Sequence, residues 1–376
     1  MRYLSRFFAA LGAARLLKDS GMRVHRAEVI TLMYNRNLAS FFSRTSYAST
    51  APAHPRVCLL LVMVALMFAG HAQAGTLVTW GTNITAPPTG DDYTAIARSD
   101  YTQFALRSNG SIAAWGYDGT FEVTNAPTGT GCTAIAGSRF AGFALSSTGS
   151  IVAWGDNSDP DFPNLQLTNV PTGTGYTAIA GGGDTGYALT ANGSIVAWGG
   201  NGNGELNTPA GTGYTAIAGG AYGALALTAD GHVVGWGYDV HGQATGGPTG
   251  AGFTAIAASN GYADYALAAD GTIVNWGYDL FGEFSSIPTG TGFTAIGASP
   301  SAGFAVAADG SLRVWGFNNG DYDTGLPAGN DFTAVTGNFN GAVALQGVPE
   351  PSTFILAAMS LVGLGFATWR RKMRKA

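Results

Sequence analysis

One segment recurs seven times along the chain at a nearly constant spacing. The tripeptide Thr-Ala-Ile, once Thr-Ala-Val, begins at positions 94, 133, 177, 215, 254, 294 and 333, so successive copies lie 38 to 44 residues apart. A Trp-Gly pair also occurs seven times, with tryptophan at positions 80, 115, 154, 198, 236, 276 and 315. A fixed period of this length indicates repeated supersecondary units that stack on their neighbours.

Each repeat is predicted to contain three short strands. In the third copy they are YTAIAG at 176–181, GYALT at 186–190 and SIVAWG at 194–199. Six turns separate the second strand from the third: Asn109-Gly110, Thr148-Gly149, Asn192-Gly193, Asp230-Gly231, Asp270-Gly271 and Asp309-Gly310. Because Asn-Gly and Asp-Gly pairs tolerate positive φ at both central positions, we predict antiparallel hairpins with type I′ turns.

The two ends of the repeat region are incomplete in complementary ways. Residues 75–81, GTLVTWG, form a Trp-Gly strand with no hairpin before it, whereas residues 332–346 contain two strands and then stop. In a ring, Thr76–Gly81 would pair beside Ala342–Gln346 and complete a seventh sheet, which leaves no exposed strand edge. An open solenoid would instead need polar caps at its ends. We therefore predict an all-β fold, a seven-bladed β-propeller over 75–347 closed by its N-terminal and C-terminal strands.

Two recurring positions are predicted to form the core. One precedes Ala-Leu or its equivalent and holds Phe104, Phe143, Tyr187, Leu225, Tyr265, Phe304 and Val343. The other is the tryptophan of each Trp-Gly pair, which we expect to pack between neighbouring sheets because every repeat has one. Cys132 occupies a position that is Tyr or Phe in the other repeats, so we expect a buried structural thiol.

The repeat resembles the regulator of chromosome condensation repeat. Residues 177–206 carry the pattern well, and WGYDVHGQA at 236–244 and WGYDLFGEF at 276–284 match its end. The resemblance covers about 270 residues and implies a propeller closed by strand exchange. In blade length the chain is more similar to the secreted bacterial branch that includes the β-lactamase inhibitory propellers. The exchange-factor activity of the eukaryotic protein is not expected here.

The N-terminal region is interpreted as an address for export. Residues 56–74 contain an arginine, an apolar run and then Ala72-Gln73-Ala74, the order of a secretory signal peptide with cleavage after Ala74. Residues 1–55 are basic and have no clear pattern, so they are either a long leader extension or the result of a start codon assigned too early. In both cases we place them outside the fold.

The C-terminal segment, 348–376, has three parts. Val348-Pro349-Glu350-Pro351 is followed by an uncharged run at 354–369 and a basic tail at 370–375. Such a tail keeps the end of a membrane helix cytoplasmic and leaves the preceding domain outside. The arrangement resembles the PEP-CTERM sorting signal of exopolysaccharide-producing Gram-negative bacteria. The resemblance implies processing by exosortase after signal peptidase, transient anchoring in the inner membrane, and a final location at the cell surface or in a biofilm matrix. The alternative is a plain tail anchor.

The charge distribution excludes one class of partner. Residues 75–348 contain four arginines, no lysine and twenty acidic residues, a formal charge of −16. Such a surface repels phosphate backbones, so we expect no nucleic-acid binding.

The sequence contains no catalytic constellation, and neither an enzyme nor a cofactor is expected. Acidic residues are scattered by repeat, which favours solvated turns over an acid/base pair. His232 is interpreted as an exposed strand residue and His241 as a loop residue. The longest loop carries Asp156, Asp159 and Asp161, which are oxygen ligands of the kind calcium takes, but without the spacing of a known calcium loop.

The loops that follow each Trp-Gly pair vary most and are predicted to emerge on one face. Their aromatic side chains are the candidate binding residues: Tyr117, Phe121, Phe162, Tyr238, Tyr278, Phe281, Phe317 and Tyr322. Aromatic rings beside carboxylates suit sugars or a protein partner. We therefore expect a non-enzymatic exported protein that binds extracellular polysaccharide or a surface protein. A secreted inhibitor of a hydrolase, and a propeller lyase or glycosidase, are the alternatives.

Overall fold

The computed structural model describes residues 74–82, 84–155, 165–260, 263–280, 282–316, 322 and 325–347. All described residues lie in the unit His71–Ala376. The predicted leader, signal peptide and sorting segment therefore lie outside the described residues, except for Ala74. Within the described ranges, no helix has the length and apolar character needed to cross a membrane.

The described chain is built from short β-strands and one turn of 3-10 helix at Leu165–Leu167. In chain order the strands are β1 (Gly75–Trp80), β2 (Tyr93–Arg98), β3 (Thr102–Arg107), β4 (Ile112–Gly116), β5 (Cys132–Gly137), β6 (Ala141–Ser146), β7 (Ile151–Gly155), β8 (Tyr176–Gly182), β9 (Thr185–Thr190), β10 (Ile195–Gly199), β11 (Tyr214–Gly219), β12 (Gly223–Thr228), β13 (Val233–Gly237), β14 (Phe253–Ala257), β15 (Ala263–Ala268), β16 (Ile273–Gly277), β17 (Phe293–Ala298), β18 (Ala302–Ala307), β19 (Leu312–Gly316), β20 (Phe332–Asn338) and β21 (Gly341–Gly347). The predicted order of three strands per repeat is confirmed.

These strands form six hydrogen-bonded sheets. Five are three-stranded and antiparallel: β5-β6-β7, β8-β9-β10, β11-β12-β13, β14-β15-β16 and β17-β18-β19. The sixth has the order β20-β21-β1-β2-β3-β4, but β1 and β2 meet in it only where Gly75 lies opposite Tyr93. It therefore consists of two three-stranded layers joined at one point.

The first strand pairs with the last, as the sequence predicts. Thr76 lies opposite Gln346 and Trp80 opposite Ala342, and the antiparallel register is unbroken along β1. The N-terminal segment thus supplies the third strand of the layer that β20 and β21 begin. The pairing therefore supplies hydrogen-bond partners to the backbone groups of both incomplete ends.

The first strands of the repeats surround a channel. Each contacts the next, from β2 through β5, β8, β11, β14 and β17 to β20, and β20 contacts β2. Ile96, Ile135, Ile179, Ile296 and Val335 are among the residues that line a cavity of about 290 Å3 between them. Gly137 lets neighbouring backbones approach closely, because a Cβ there would lie 2.1 Å from the carbonyl oxygen of Arg98.

The hairpins are present, but their predicted turn type is wrong. Gly110 has φ of +78°, whereas Asn109 is not among the described residues with positive φ. The Gly110 amide donates to Arg107 O, and the Arg107 amide donates to Ser111 O. This is a three-residue turn of type I followed by a left-handed glycine. The Asn109 side chain accepts from the Ser111 amide at 2.8 Å, and that bond stabilises the type I conformation.

The recurring core positions pack between adjacent layers, as predicted. The seven residues before Ala-Leu or its equivalent are all buried. Five of them pack edge-on against a tryptophan of the adjacent layer: Phe104 with Trp154, Phe143 with Trp198, Tyr187 with Trp236, Tyr265 with Trp315 and Phe304 with Trp80. Trp115 shares a cluster with Val343, and Trp276 shares one with Leu225. Each tryptophan therefore packs on the layer before its own.

Candidate functional site

Two sets of loops lie together at one end of the layers. The Tyr117 amide, which follows β4, donates to the Tyr101 carbonyl between β2 and β3, and the Tyr238 amide donates to the Tyr222 carbonyl in the same way. We call the surface formed by the loops after each Trp-Gly pair and the loops between first and second strands the Trp-Gly face. Four described members of the predicted binding set lie in its loops: Tyr117, Phe121, Tyr238 and Tyr278.

The predicted aromatic residues differ in their exposure. Tyr117 is 60% exposed, Phe121 46% and Tyr278 38%, and Tyr238 is half-buried. Phe162, Phe281 and Phe317 lie outside the described residues. Of the five described residues in the predicted set, three therefore have side chains exposed enough to contact a partner.

Tyr322 is a correction to the predicted set. It is only 4% exposed, its hydroxyl donates to Asn338 O, and its ring packs edge-on against Phe304. Its carbonyl accepts a hydrogen bond from Trp80 Nε1 at 2.8 Å. Tyr322 therefore anchors the loop to the core and cannot form part of an exposed surface.

An aromatic group with a histidine forms the largest described ring cluster on this face. Tyr222 and Tyr238 have ring centroids 5.9 Å apart, Tyr238 and His241 6.3 Å, and His241 stacks on Tyr278 at 4.2 Å with 13° between the planes. We call these four residues the histidine cluster. His241 is thus a loop residue, as predicted, but it is held by ring contacts. Val240 and Leu280, both exposed, follow in the same loops.

A second group lies where β2 and β20 end. Tyr101 stacks on Phe339 at 5.6 Å and meets Tyr117 at 6.0 Å, and all three side chains are at least one-third exposed. Sequence reasoning missed Tyr101, Phe339 and Tyr222 because it considered only the loops after Trp-Gly. An aromatic residue just before the second strand, in segments such as GAYGAL at 220–225, was the available signal.

A small cavity of about 30 Å3 lies beside the histidine cluster. Tyr222, Tyr238, Trp236, Gln243 and Asp264 are among its lining residues. Asp264 is 8% exposed, and its Oδ1 accepts a hydrogen bond from the Ser259 amide at 3.2 Å. Burial raises the pKa of Asp264 to about 8, so the acid is mostly protonated at neutral pH.

The interpretation of the acidic residues as solvated turn residues is wrong for three glutamates. Glu122, Glu205 and Glu283 are buried, and each is the seventh residue after its tryptophan. Two of these loops fold under the Trp-Gly face because the glutamate carbonyl accepts from the next tryptophan: Trp154 Nε1 bonds to Glu122 O at 2.9 Å and Trp236 Nε1 to Glu205 O at 2.8 Å. Burial raises the pKa of Glu122 to about 7, against the opposing effect of hydroxyl donors such as Thr120. Glu122 and Glu205 therefore have a structural role in holding their loops.

Charged residues gather at the mouth of the channel on the same face. Asp100 accepts from Asn260 Nδ2 at 2.5 Å, across 160 residues of sequence, and lies 4.0 Å from Arg139 Nε. Arg98 Nε donates to Ala298 O on β17 at 3.2 Å. Burial raises the pKa of Asp100, and Arg98 and the Asn260 hydrogen bond oppose that shift. The Asp100–Asn260 contact joins the first and fifth repeats, and the Arg98–Ala298 contact joins the first and sixth.

The remaining singled-out residues have structural partners. His232 is exposed, next to the end of a hairpin, and its Nδ1 lies 3.1 Å from Asp230. Cys132 is half-buried, less than predicted, and packs against the cluster that contains Trp154. Burial raises the pKa of its thiol, which lowers the thiolate fraction that reacts.

Among the described residues, no group of three or more His, Cys, Asp or Glu side chains could hold a metal ion. The weak calcium candidates Asp156, Asp159 and Asp161 lie outside the described ranges.

Comparisons with known proteins identify two segments. Residues 214–243 match the regulator of chromosome condensation (RCC1) repeat, and residues 347–372 match the PEP-CTERM protein-sorting motif. Together these matches support an RCC1-like propeller with a PEP-CTERM motif. The second match supports an exported, surface-directed protein processed by exosortase. No curated protein sequence matches the chain.

Solved structures share the fold at low sequence identity. In the complex of Kap60 with yeast RCC1 (Prp20), the match has 17% identity and a TM-score of 0.59, and covers 82% of this chain and 96% of that one. The ectodomain of the Physcomitrella patens receptor kinase CR4 gives 20% identity, a TM-score of 0.54 and coverages of 69% and 72%. The match to human WBSCR16 has 14% identity and a TM-score of 0.55, and covers 73% of this chain and 99% of that one. At these identities the similarity shows the fold alone, a β-propeller.

Proposed function

We propose that the protein is an exported, non-enzymatic, seven-bladed β-propeller that binds neutral extracellular polysaccharide through its Trp-Gly face. In this proposal residues 56–74 are a signal peptide, 75–347 the propeller and 348–376 a sorting segment that exosortase removes. The observation that carries the binding function is the histidine cluster, exposed on the same face as Tyr101, Tyr117 and Phe339.

The seven-blade architecture is supported by the strand pairing. Seven first strands contact one another in a cycle, and β1 completes the layer of β20 and β21. A closed ring leaves no unpaired edge at either end of the array, which an exported repeat protein needs in order to avoid aggregation.

Sugar binding is supported by the chemistry of the face. Pyranose rings present apolar C–H faces that stack on aromatic rings, and Tyr hydroxyl groups supply hydrogen bonds beside them. Residues 75–348 carry a formal charge of −16 and no lysine. Acidic polysaccharides would be repelled, so the charge favours a neutral polymer.

Co-sedimentation with the exopolysaccharide of the producing organism, separated into neutral and acidic fractions and with and without calcium, tests the proposal. We expect saturable binding of the neutral fraction without calcium. Tyr278→Ala, which removes the ring under His241, should weaken binding about tenfold or more, since each stacked aromatic contributes on the order of 1 kcal/mol or more. Val152→Ala, an exposed apolar residue on β7 outside this face, should bind as the unmodified protein does. Absence of binding to any fraction would contradict the proposal.

A protein partner is the second candidate. Val240 is 71% exposed and Leu280 46%, and apolar side chains at loop tips beside aromatic rings favour a protein interface. The inhibitor hypothesis belongs to this class. Capture of a single hydrolase from the medium, with nanomolar affinity and loss of its activity, would support it over polysaccharide binding.

A further inference from the structure

The 30 Å3 cavity interrupts the repeated packing of the sheets. At the second position of the second strand, five repeats have only Gly or Ala: Gly142, Gly186, Ala224, Gly303 and Ala342. At Gly142, for example, a Cβ would lie 2.1 Å from the ring of Trp154. Asp264 places a carboxyl group at this position in the fifth repeat. The fold therefore does not require an acid there, and burying one costs free energy.

The polar groups of the cavity are incompletely paired. The structure gives Asp264 one hydrogen bond, from the Ser259 amide. Gln243 Oε1 accepts from the His241 amide at 3.0 Å, but Gln243 Nε2 is buried with no acceptor within hydrogen-bond distance. A buried amide donor without a partner is uncommon and costs about 1–3 kcal/mol. Both residues line the same cavity, so one small ligand group could contact both.

The wall of the cavity connects it to the histidine cluster. Tyr222, which is 44% exposed, and Tyr238 both line the cavity and belong to that cluster. A volume of 30 Å3 accommodates a single water molecule or one hydroxyl group. An aromatic platform next to a hydroxyl-sized polar cavity matches the two parts of a sugar, its apolar ring face and its hydroxyl groups.

We propose that this cavity is the anchoring subsite for a hydroxyl group of a neutral hexose, with Asp264 and Gln243 as its hydrogen-bond partners and Tyr222 and Tyr238 beside the sugar ring. This rests on the proposed polysaccharide-binding function and names the residues that select a hydroxylated ligand. The hydroxyl oxygen accepts from Gln243 Nε2, and the Asp264 carboxyl group exchanges a hydrogen bond with the same hydroxyl. Because Asp264 is mostly protonated at neutral pH, it can donate as well as accept.

Binding of the neutral exopolysaccharide fraction to the purified protein, measured by co-sedimentation, tests the subsite. Asp264→Ala and Gln243→Ala should each weaken binding about tenfold to a hundredfold, whereas Asp264→Asn, which keeps a donor and an acceptor, should stay within about threefold. Gln103→Ala is the matched control. Gln103 is the buried polar residue at the same strand position in the first repeat, away from the cavity, and its replacement should leave binding unchanged.

A second measurement does not depend on the folding of the Asp264 variants. Trp236 lines the cavity, so occupancy should change its fluorescence in the unmodified protein. The change should persist in Trp198→Phe and disappear in Trp236→Phe.

The outcomes separate the two proposals. If the unmodified protein binds no fraction, the proposed function fails. If it binds and Tyr278→Ala weakens binding, but Asp264→Ala and Gln243→Ala do not and the Trp236 signal is absent, the function stands and the subsite is overturned.

Discussion

Replacement of Trp80 by phenylalanine tests the docking of the first strand against the last. Trp80 is buried, and its Nε1 donates to the Tyr322 carbonyl at 2.8 Å. Trp115 is its matched control. It is also buried and also follows the recurring packing, but its Nε1 has no acceptor within hydrogen-bond distance.

The expected difference follows from the hydrogen bond. Both Trp80→Phe and Trp115→Phe remove a similar part of an indole ring, so their packing losses are comparable. Only Trp80→Phe leaves a buried carbonyl without its donor, which costs about 1–3 kcal/mol. Trp115→Phe removes a donor that is already unpaired. Trp80→Phe should therefore lower the free energy of unfolding by about 1–3 kcal/mol more than Trp115→Phe, and each kcal/mol lowers Tm by about 2–4 °C in a domain of this size.

Urea unfolding followed by circular dichroism gives the two free energies, and m-values that do not change would show that the same surface unfolds in both variants. Equal losses, or a larger loss in Trp115→Phe, would refute the reasoning about the hydrogen bond. A Trp80→Phe variant as stable as the unmodified protein would refute docking of β1 altogether.

Two further predictions concern stability. The folded pKa of Asp264, about 8, lies above the unfolded value of about 3.9, so its contribution to the free energy of unfolding is fully present below about pH 4 and is lost as pH rises through 8. Asp264→Asn should flatten this part of a plot of urea midpoint against pH. An unchanged slope would contradict the assigned burial. Gly142→Ala should destabilise the protein by about 1–3 kcal/mol because the new Cβ would overlap the Trp154 ring. Gly129→Ala, with no atom within 4 Å of its Cβ, should leave Tm nearly unchanged. Similar Tm values for the two variants would contradict the packing of Gly142 against Trp154.

Periodicity explains what could be predicted. A position such as that of Phe104 or Trp154 occurs in every repeat with an apolar or aromatic residue, so its burial can be predicted from the sequence. The pairing of β1 with β21 was also predictable, because each end of the array contains the strands that the other end does not have. These are properties of the repeat, and they required no knowledge of contacts between distant residues.

Deviations from the repeat explain what was missed. Tyr322 was placed on the surface because it is aromatic and lies in a loop, yet it occupies the seventh position after its tryptophan, where Glu122 and Glu205 are also buried. Comparing loops by position after Trp-Gly would have revealed this. The contact of Asp100 with Asn260 could not be predicted, because it joins side chains that occur once each and lie 160 residues apart. The environment of Asp264 was hidden for the same reason.

The pairing of Gly75 with Gly347 also has a consequence for the timing of secretion. Gly75 directly follows the expected signal-peptidase site, and Gly347 directly precedes Val348, the first residue of the expected sorting segment. The strand that leaves the ribosome first must therefore wait, unpaired, until the strand made last has crossed the membrane. Contacts between such distant residues form slowly, because the entropic cost of closing a long loop comes before the contacts can stabilise the fold. Under the proposed function both expected cleavage sites flank this residue pair, so an enzyme that trims either end of the chain would meet a finished domain only after its last strand has arrived.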